Sequence, residues 1–185
     1  MPVKDAQKTL KPNMSGELPA ADPNQVLEPV SHLNADKPVL SVVGLGYVGA
    51  VTSVCFSNLG YRVLGVDTDE QKVADINAGC SPIIEEGLKE GIYQGVNNHT
   101  FSATTDLKEA VLKSCITIIC VGTPSGQDGA CDLTHIKKVC EEIGLIIADK
   151  KQFHTLVFKS TVPPGTTENS LLPIIESGSG KLAGT

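Results

Sequence analysis

Between Val39 and Asp67 the order of residue types leaves room for few folds. An apolar, β-branched run, Val39-Leu40-Ser41-Val42-Val43, meets Gly44-Leu45-Gly46-Tyr47-Val48-Gly49; an apolar stretch then runs to Leu59-Gly60 and a second run, Tyr61-Arg62-Val63-Leu64-Gly65-Val66, ends in Asp67. This spells a strand, a glycine turn, a helix and a second strand closed by an acid about 20 residues on, the pattern of a dinucleotide-binding βαβ unit.

Each residue type has a physical reason to stand where it does. Gly44 permits a sharp turn because it has no Cβ to clash. Gly46 lets a pyrophosphate approach the main chain, and Gly49 lets the helix pack closely on the strand. The helix opens with free N–H groups and the positive end of its dipole, which together suit an anion. Asp67 is placed to accept from both ribose hydroxyls, and its charge opposes a 2′-phosphate. No Arg follows in Thr68-Asp69-Glu70, so the expected cofactor is NAD rather than NADP. A glycine hexapeptide alone is also what a surface turn looks like; the flanking strand, helix and acid set this one apart.

Bulk properties narrow the alternatives. A chain of 185 residues, 41% hydrophobic, suits one globular domain or slightly more. Its net charge of −6, its 4% aromatic content and its lack of Trp argue against nucleic acid or an anionic membrane as partner. No apolar run approaches the ~20 residues of a membrane span. The six cysteines (Cys55, Cys80, Cys115, Cys120, Cys131 and Cys140) form no C-x-x-C pair, and His32, His99, His135 and His154 complete no zinc spacing, so no metal site is expected. Reduced thiols in a cytoplasmic protein are the expectation.

Residues 1–37 differ from the rest. Five prolines are scattered among small and polar residues without hydrophobic periodicity, a signal-peptide core or Arg, which reads as a disordered leader. Beyond the first βαβ unit, residues 69–78 read as a short helix capped by Asp69 and closed by Gly79, and a second helix runs from about Leu88 to Gln94. Residues 100–104 read as a strand, and Asp106 caps a helix through Lys113. The almost wholly apolar run 115–121 suits a central parallel strand covered on both faces. A loop through Asp132, a long helix over 133–149, a fifth strand over 155–161 and a helix from Thr166 to about Ile175 follow, with small and polar residues 177–185 at the end.

This alternation implies an α/β fold, a doubly wound, Rossmann-like parallel sheet over residues 38–185 with right-handed crossovers. Ligands of such sheets bind outside the carboxyl ends of the strands. Three strand ends carry polar signals, 44–49, 122–125 and 160–166, and these loops are expected to converge on one cofactor.

Read together, Gly-Leu-Gly-Tyr-Val-Gly (44–49), Gly-Val-Asp (65–67), Ser-Pro-Ile-Ile-Glu-Glu-Gly-Leu (81–88), Val-Gly-Thr-Pro (121–124) and Lys-Ser-Thr-Val-Pro-Pro-Gly-Thr (159–166) occur in an order that resembles the N-terminal NAD-binding domain of the UDP-glucose/GDP-mannose dehydrogenase family. Residues 103–112 and 139–144 are most similar to its GDP-mannose 6-dehydrogenase branch. The resemblance implies oxidation of a nucleotide-sugar C6 alcohol to a uronate with two NAD, through a cysteine-bound thiohemiacetal. It also implies cofactor contacts at Tyr47 and Val48 (main chain), Asp67, Lys72, Thr123 and Thr161. By residue type alone Lys72 reads equally well as a solvated helix lysine, and the two threonines as turn caps.

Two positions depart from the family pattern: Glu86 stands in place of a Pro, and Cys115 in place of a frequent Asp. No cysteine has the Gly-Gly-Ser-Cys context of the family nucleophile, so no catalytic residue is expected in this chain. The resemblance also implies that the sheet lacks its last strand, which in the family would begin just after Thr185, so the chain reads as a fragment, a truncated product or a half that needs a partner. Its nucleotide-sugar partner depends on a further domain, and a homo-oligomer is left open. Two other readings compete: a catalytically silent NAD-binding or interaction module, and a β-hydroxyacid-type dehydrogenase, against which residues 81–88 and 121–124 count.

Overall fold

The computed structural model describes residues 37–126 and 129–184. The expected disordered leader falls almost entirely outside them. The described residues form five strands and six helices in the order β1 Leu40–Val43, α1 Tyr47–Asn58, β2 Val63–Val66, α2 Glu70–Asn77, α3 Leu88–Asn97, β3 Phe101–Thr104, α4 Leu107–Lys113, β4 Ile116–Ile119, α5 Thr134–Ala148, β5 Thr155–Phe158 and, after a π-helical turn at Thr167–Leu171, α6 Leu172–Ser179. The strands form one parallel sheet in the order β3-β2-β1-β4-β5. The doubly wound α/β sheet expected from the sequence is therefore the fold.

All four residues of β1 are buried, because β1 lies at the centre with helices over both faces. One core forms where Leu40 and Val42 of β1, Val54 of α1, Ile92 of α3 and Phe101 of β3 meet. A second joins Ile119 at the end of β4 to Ile136, Cys140 and Ile143 of α5 and Leu171 and Ile175 at the chain's far end. β5 differs: its residues alternate exposed and half-buried, because it is paired on one side only among the described residues.

Helix caps follow the residue types. Asp69 accepts from Lys72 N at 3.1 Å and Asp106 from Glu109 N at 2.8 Å, each satisfying a donor that the first helical turn leaves free. Two helices outrun their expected ends. α3 continues to Asn97, because Gly95 is buried so tightly that a Cβ there would lie 2.9 Å from the Phe101 Cβ, and the core holds the extra turn. α6 continues to Ser179 through residues that read as a loop. Gly178 lies against Gly144 of α5, where an added Cβ would stand 3.3 Å from the Gly144 Cα. The small residues serve close helix contact rather than flexibility, and the helix stops only at Gly180, whose φ of +66° is left-handed. The fourth and fifth strands are shorter than expected and end before Cys120 and Lys159. Cys120 and Cys140 are buried, whereas Cys55 is exposed on the outer side of α1.

Candidate dinucleotide site

The site is built where β1 ends. Gly44 takes φ +91°, and its N–H donates to Val66 O at 2.7 Å, so the loop begins tied to β2. A Cβ on Gly44 would also meet Cys120 O at 3.0 Å, because the turn passes close to the end of β4. β1 and β4 are adjacent, and here the chain's winding reverses direction across the sheet, which is where doubly wound folds open a crevice. Gly49 has no space for a side chain, since a Cβ would lie 1.8 Å from Gly44 O. This close packing of α1 on the loop is what the third glycine was expected to provide.

Gly46 is different. It is the N-cap of α1, with no side-chain cap, and nothing lies within 4 Å of the place its Cβ would occupy. Open space therefore faces the uncapped start of a 12-residue helix, where Tyr47 and Val48 are 55% and 46% exposed. An anion fits such a place, because the first N–H groups and the helix dipole both face it.

Asp67 follows β2 and turns back onto the glycine loop. Its Oδ2 accepts from Leu45 N at 2.8 Å and from Lys72 Nζ at 2.8 Å, and its Oδ1 accepts from Asp69 N at 3.1 Å. Burial pushes the carboxyl pKa up, but the bonds from Lys72, Asp69 N and Leu45 N outweigh it and hold the group below its ordinary 3.8. Lys72, in the first turn of α2, therefore stands beside the acid rather than out in solvent. This pairing was not legible in the sequence. It also tempers the charge argument against a 2′-phosphate, since a cation now neighbours the carboxylate.

On the other side of the crevice the loops after β4 and β5 are fastened to each other. Thr123 Oγ1 donates to Thr161 O at 2.6 Å, the Cys131 thiol reaches the same carbonyl at 3.7 Å, and Ser160 Oγ donates to Val121 O at 2.7 Å. The structure thus arranges the expected residues as two sets, Gly44–Gly49 with Asp67 and Lys72, and Thr123 with Thr161, at the same end of one sheet. Nothing in the sequence signals that Cys131 lies beside Thr161; an antiparallel bridge pairs it with Ser125 and its thiol reaches Thr161 O.

The arrangement defines a doubly wound dinucleotide-binding domain: a glycine turn, an open helix start and an acid at the end of the neighbouring strand. Residues 39–184 match the UDP-glucose/GDP-mannose dehydrogenase family, NAD binding domain, and the chain belongs to that family. It is 50% identical over 145 residues to GDP-mannose 6-dehydrogenase of Pseudomonas aeruginosa, covering 78% of this chain and 33% of that protein. It is 41% identical over 145 residues to a UDP-glucose 6-dehydrogenase of Haloferax volcanii, with the same two coverages, 78% and 33%. Among solved structures, a ternary complex of the Pseudomonas aeruginosa GDP-mannose dehydrogenase superposes with a TM-score of 0.76 at 50% identity, over 77% of this chain and 33% of that one. A UDP-glucose dehydrogenase from Pyrobaculum islandicum gives 0.76 at 38% identity, over 80% and 34%. The chain thus spans about a third of the length of the relatives it matches. Among the described residues no helix is long and apolar enough to cross a membrane.

Proposed function

We propose that this chain holds NAD for the oxidation of a nucleotide sugar at C6 to the uronate, with GDP-mannose favoured over UDP-glucose as the sugar. The observation that supports this best is the link between Asp67 Oδ2 and Leu45 N, 2.8 Å long, which sets the ribose-binding acid against the phosphate-binding loop. The main chain of Gly44 to Gly49, with Tyr47 and Val48 at the helix start, holds the pyrophosphate. Asp67 and Lys72 hold the adenosine ribose, and Thr123 and Thr161 hold the far side of the cofactor. Bound NAD supplies the hydride acceptor; the chain's own residues bind and orient it. GDP-mannose is favoured because the 50% identical relative is named for that sugar.

The same reading assigns no sugar-oxidising turnover to this chain by itself. Such oxidation needs a reactive thiolate at the sugar C6. Burial raises the pKa of Cys120, and it pushes that of Cys140 to about 12, so neither is a nucleophile at neutral pH. Titration calorimetry tests the cofactor half of the proposal. NAD is expected to bind more tightly than NADP, with Asp67→Ala weakening NAD about tenfold; equal affinities in the parent chain overturn the assignment. An NADH absorbance assay with GDP-mannose and UDP-glucose tests the other half. Steady turnover abolished by Cys131→Ser or Cys80→Ser makes the chain an enzyme on its own.

A further inference from the structure

The amino end of the sheet, opposite the cofactor loops, contains a buried polar chain that NAD binding does not use. Lys150 follows the C-cap of α5 and is only 7% exposed. Its ammonium donates to Val111 O at 2.7 Å, to Ser114 O, and to His154 Nδ1 at 2.8 Å, so all three of its protons are taken. Nδ1 must then be an acceptor, which puts the imidazole proton on Nε2, where it is donated to Thr117 Oγ1 at 2.8 Å. The Thr117 hydroxyl in turn reaches Ser41 Oγ at 2.6 Å, and Ser114 Oγ donates to Ser41 Oγ at 2.9 Å. Ser41 and Thr117 are wholly buried. One cation thereby orders side chains from the end of α4, from β1, from β4 and from the entry to β5.

Among the described residues no carboxylate stands at hydrogen-bonding distance of His154, and the Ser114 backbone is the group that favours its charged form. From α5 His154 faces the Lys150 ammonium. On the β4 side the Cys115 thiol is engaged with Val39 O at 3.6 Å. Lys113 of α4 is paired with Glu109. Beyond α6, Lys181 Nζ donates to Ile147 O and Lys150 O, each at 2.5 Å, and Glu176 Oε1 accepts from Ala183 N at 2.9 Å. A groove of about 620 Å³ lies between β5 and α6, lined by Lys150, His154, Leu156, Phe158, Ile175 and Lys181 among others. β5 borders it and among the described residues is held by β4, through bonds such as Thr155 N to Cys115 O and Lys159 N to Ile119 O, both 2.9 Å.

We propose that Lys150 and His154 form an acid-operated latch: a proton taken by His154 Nδ1 removes the acceptor that Lys150 requires, sets two cations together, and frees the entry to β5 and the ends of α5 and α6 while the dinucleotide loops stay in place. β5 is the element that yields because its residues are exposed or half-buried, whereas β1 is buried throughout. Burial first, and the Lys150 ammonium second, hold His154 down to about 4 against an ordinary 6.5. The closed form therefore keeps the ring neutral between these values while the open form binds one more proton. Within that window the open population rises as pH falls.

Hydrogen exchange on the full chain at pH 7 and pH 5, corrected for intrinsic rates, tests this. The Thr155 amide, at the entry to β5, is expected to lose at least tenfold in protection at pH 5, while the Lys159 amide beside the cofactor loop and the amides of residues 40–43 and 63–66 keep theirs. His154→Gln supplies the same acceptor to Lys150 and the same donor to Thr117 but no titrating group, so its β5 protection is expected to be equal at both pH values. Unchanged β5 protection in the parent chain, or the same loss in His154→Gln, overturns the latch. If His154→Gln does not fold, NMR titration of the parent decides: a His154 ring titrating near 4 supports the latch, and one titrating near 6.5 with the fold intact overturns it.

Discussion

The two ends of this parallel sheet follow opposite plans. At the carboxyl end the chain removes side chains: Gly44 and Gly49 let backbone pass where no Cβ fits, and at Gly46 open space faces the start of α1. At the amino end it fills the interior with side chains, and Lys150, His154, Thr117, Ser41 and Ser114 satisfy one another. Among the described residues no buried side-chain nitrogen or oxygen lacks a partner. The difference shows how one sheet divides its tasks. Donors left for a ligand must be backbone groups that no side chain shields. Groups sealed from water must be paired, because an orphan there costs about 1–3 kcal/mol.

The largest expected effect breaks the glycine end by crowding. In Gly49→Val the new Cβ would stand 1.8 Å from Gly44 O, backbone that cannot step aside. The expected loss is more than about 4 kcal/mol, read as failure to fold or as a collapsed urea midpoint. Next comes the amino end. Lys150→Met removes the donor from Val111 O, Ser114 O and His154 Nδ1 together, and about 3 kcal/mol of stability should go with it. NAD affinity should stay within about twofold, because the cofactor loops lie at the other end; calorimetry and urea denaturation on the same sample separate the two outcomes.

Gly46→Val sharpens the contrast within the glycine loop itself. Its Cβ meets nothing within 4 Å, so the urea midpoint should move little, while NAD affinity should fall about a hundredfold, or about 2.7 kcal/mol, as the new methyl groups take the space left for phosphate. A Gly46→Val chain that binds NAD like the parent places the phosphate elsewhere. The smallest effect is on pH. Because folding lowers the pKa of His154 to about 4, the unfolded chain binds the extra proton below 6.5, and stability should decline as pH falls from 6.5 toward 4, by on the order of 1 kcal/mol after solvent screening. Asp67 acts lower on the scale. Its folded pKa lies under 3.8, so the stability it contributes is present above 3.8 and is lost as pH falls through the lower folded value. Denaturation curves at pH 7, 5 and 3.5 resolve the two regimes.

Much of the carboxyl end was legible before any coordinates. A turn that needs positive φ at Gly44, a helix start without a side-chain cap at Gly46 and an acid one residue past β2 are each written within a few residues of where they act. The caps at Asp69 and Asp106 are local for the same reason. The exposure of Cys55 was not legible, because an apolar helix covered on one side only still has an outer face.

What the sequence by itself determined is therefore the set of elements, their parallel winding, the glycine turn and the acid beside it. Those depend on backbone freedom and on periodicity, properties of neighbouring residues. Only the tertiary structure decided that Lys72 pairs with Asp67, that Thr123 is fastened to Thr161, that α6 runs on because Gly178 meets Gly144, and that Lys150 and His154 join one buried chain. Ser41 and Thr117 are 76 residues apart and touch because β1 and β4 lie side by side in one register. Such bonds depend on strand order and on which face of the sheet a residue presents, and both are fixed only when distant segments pack.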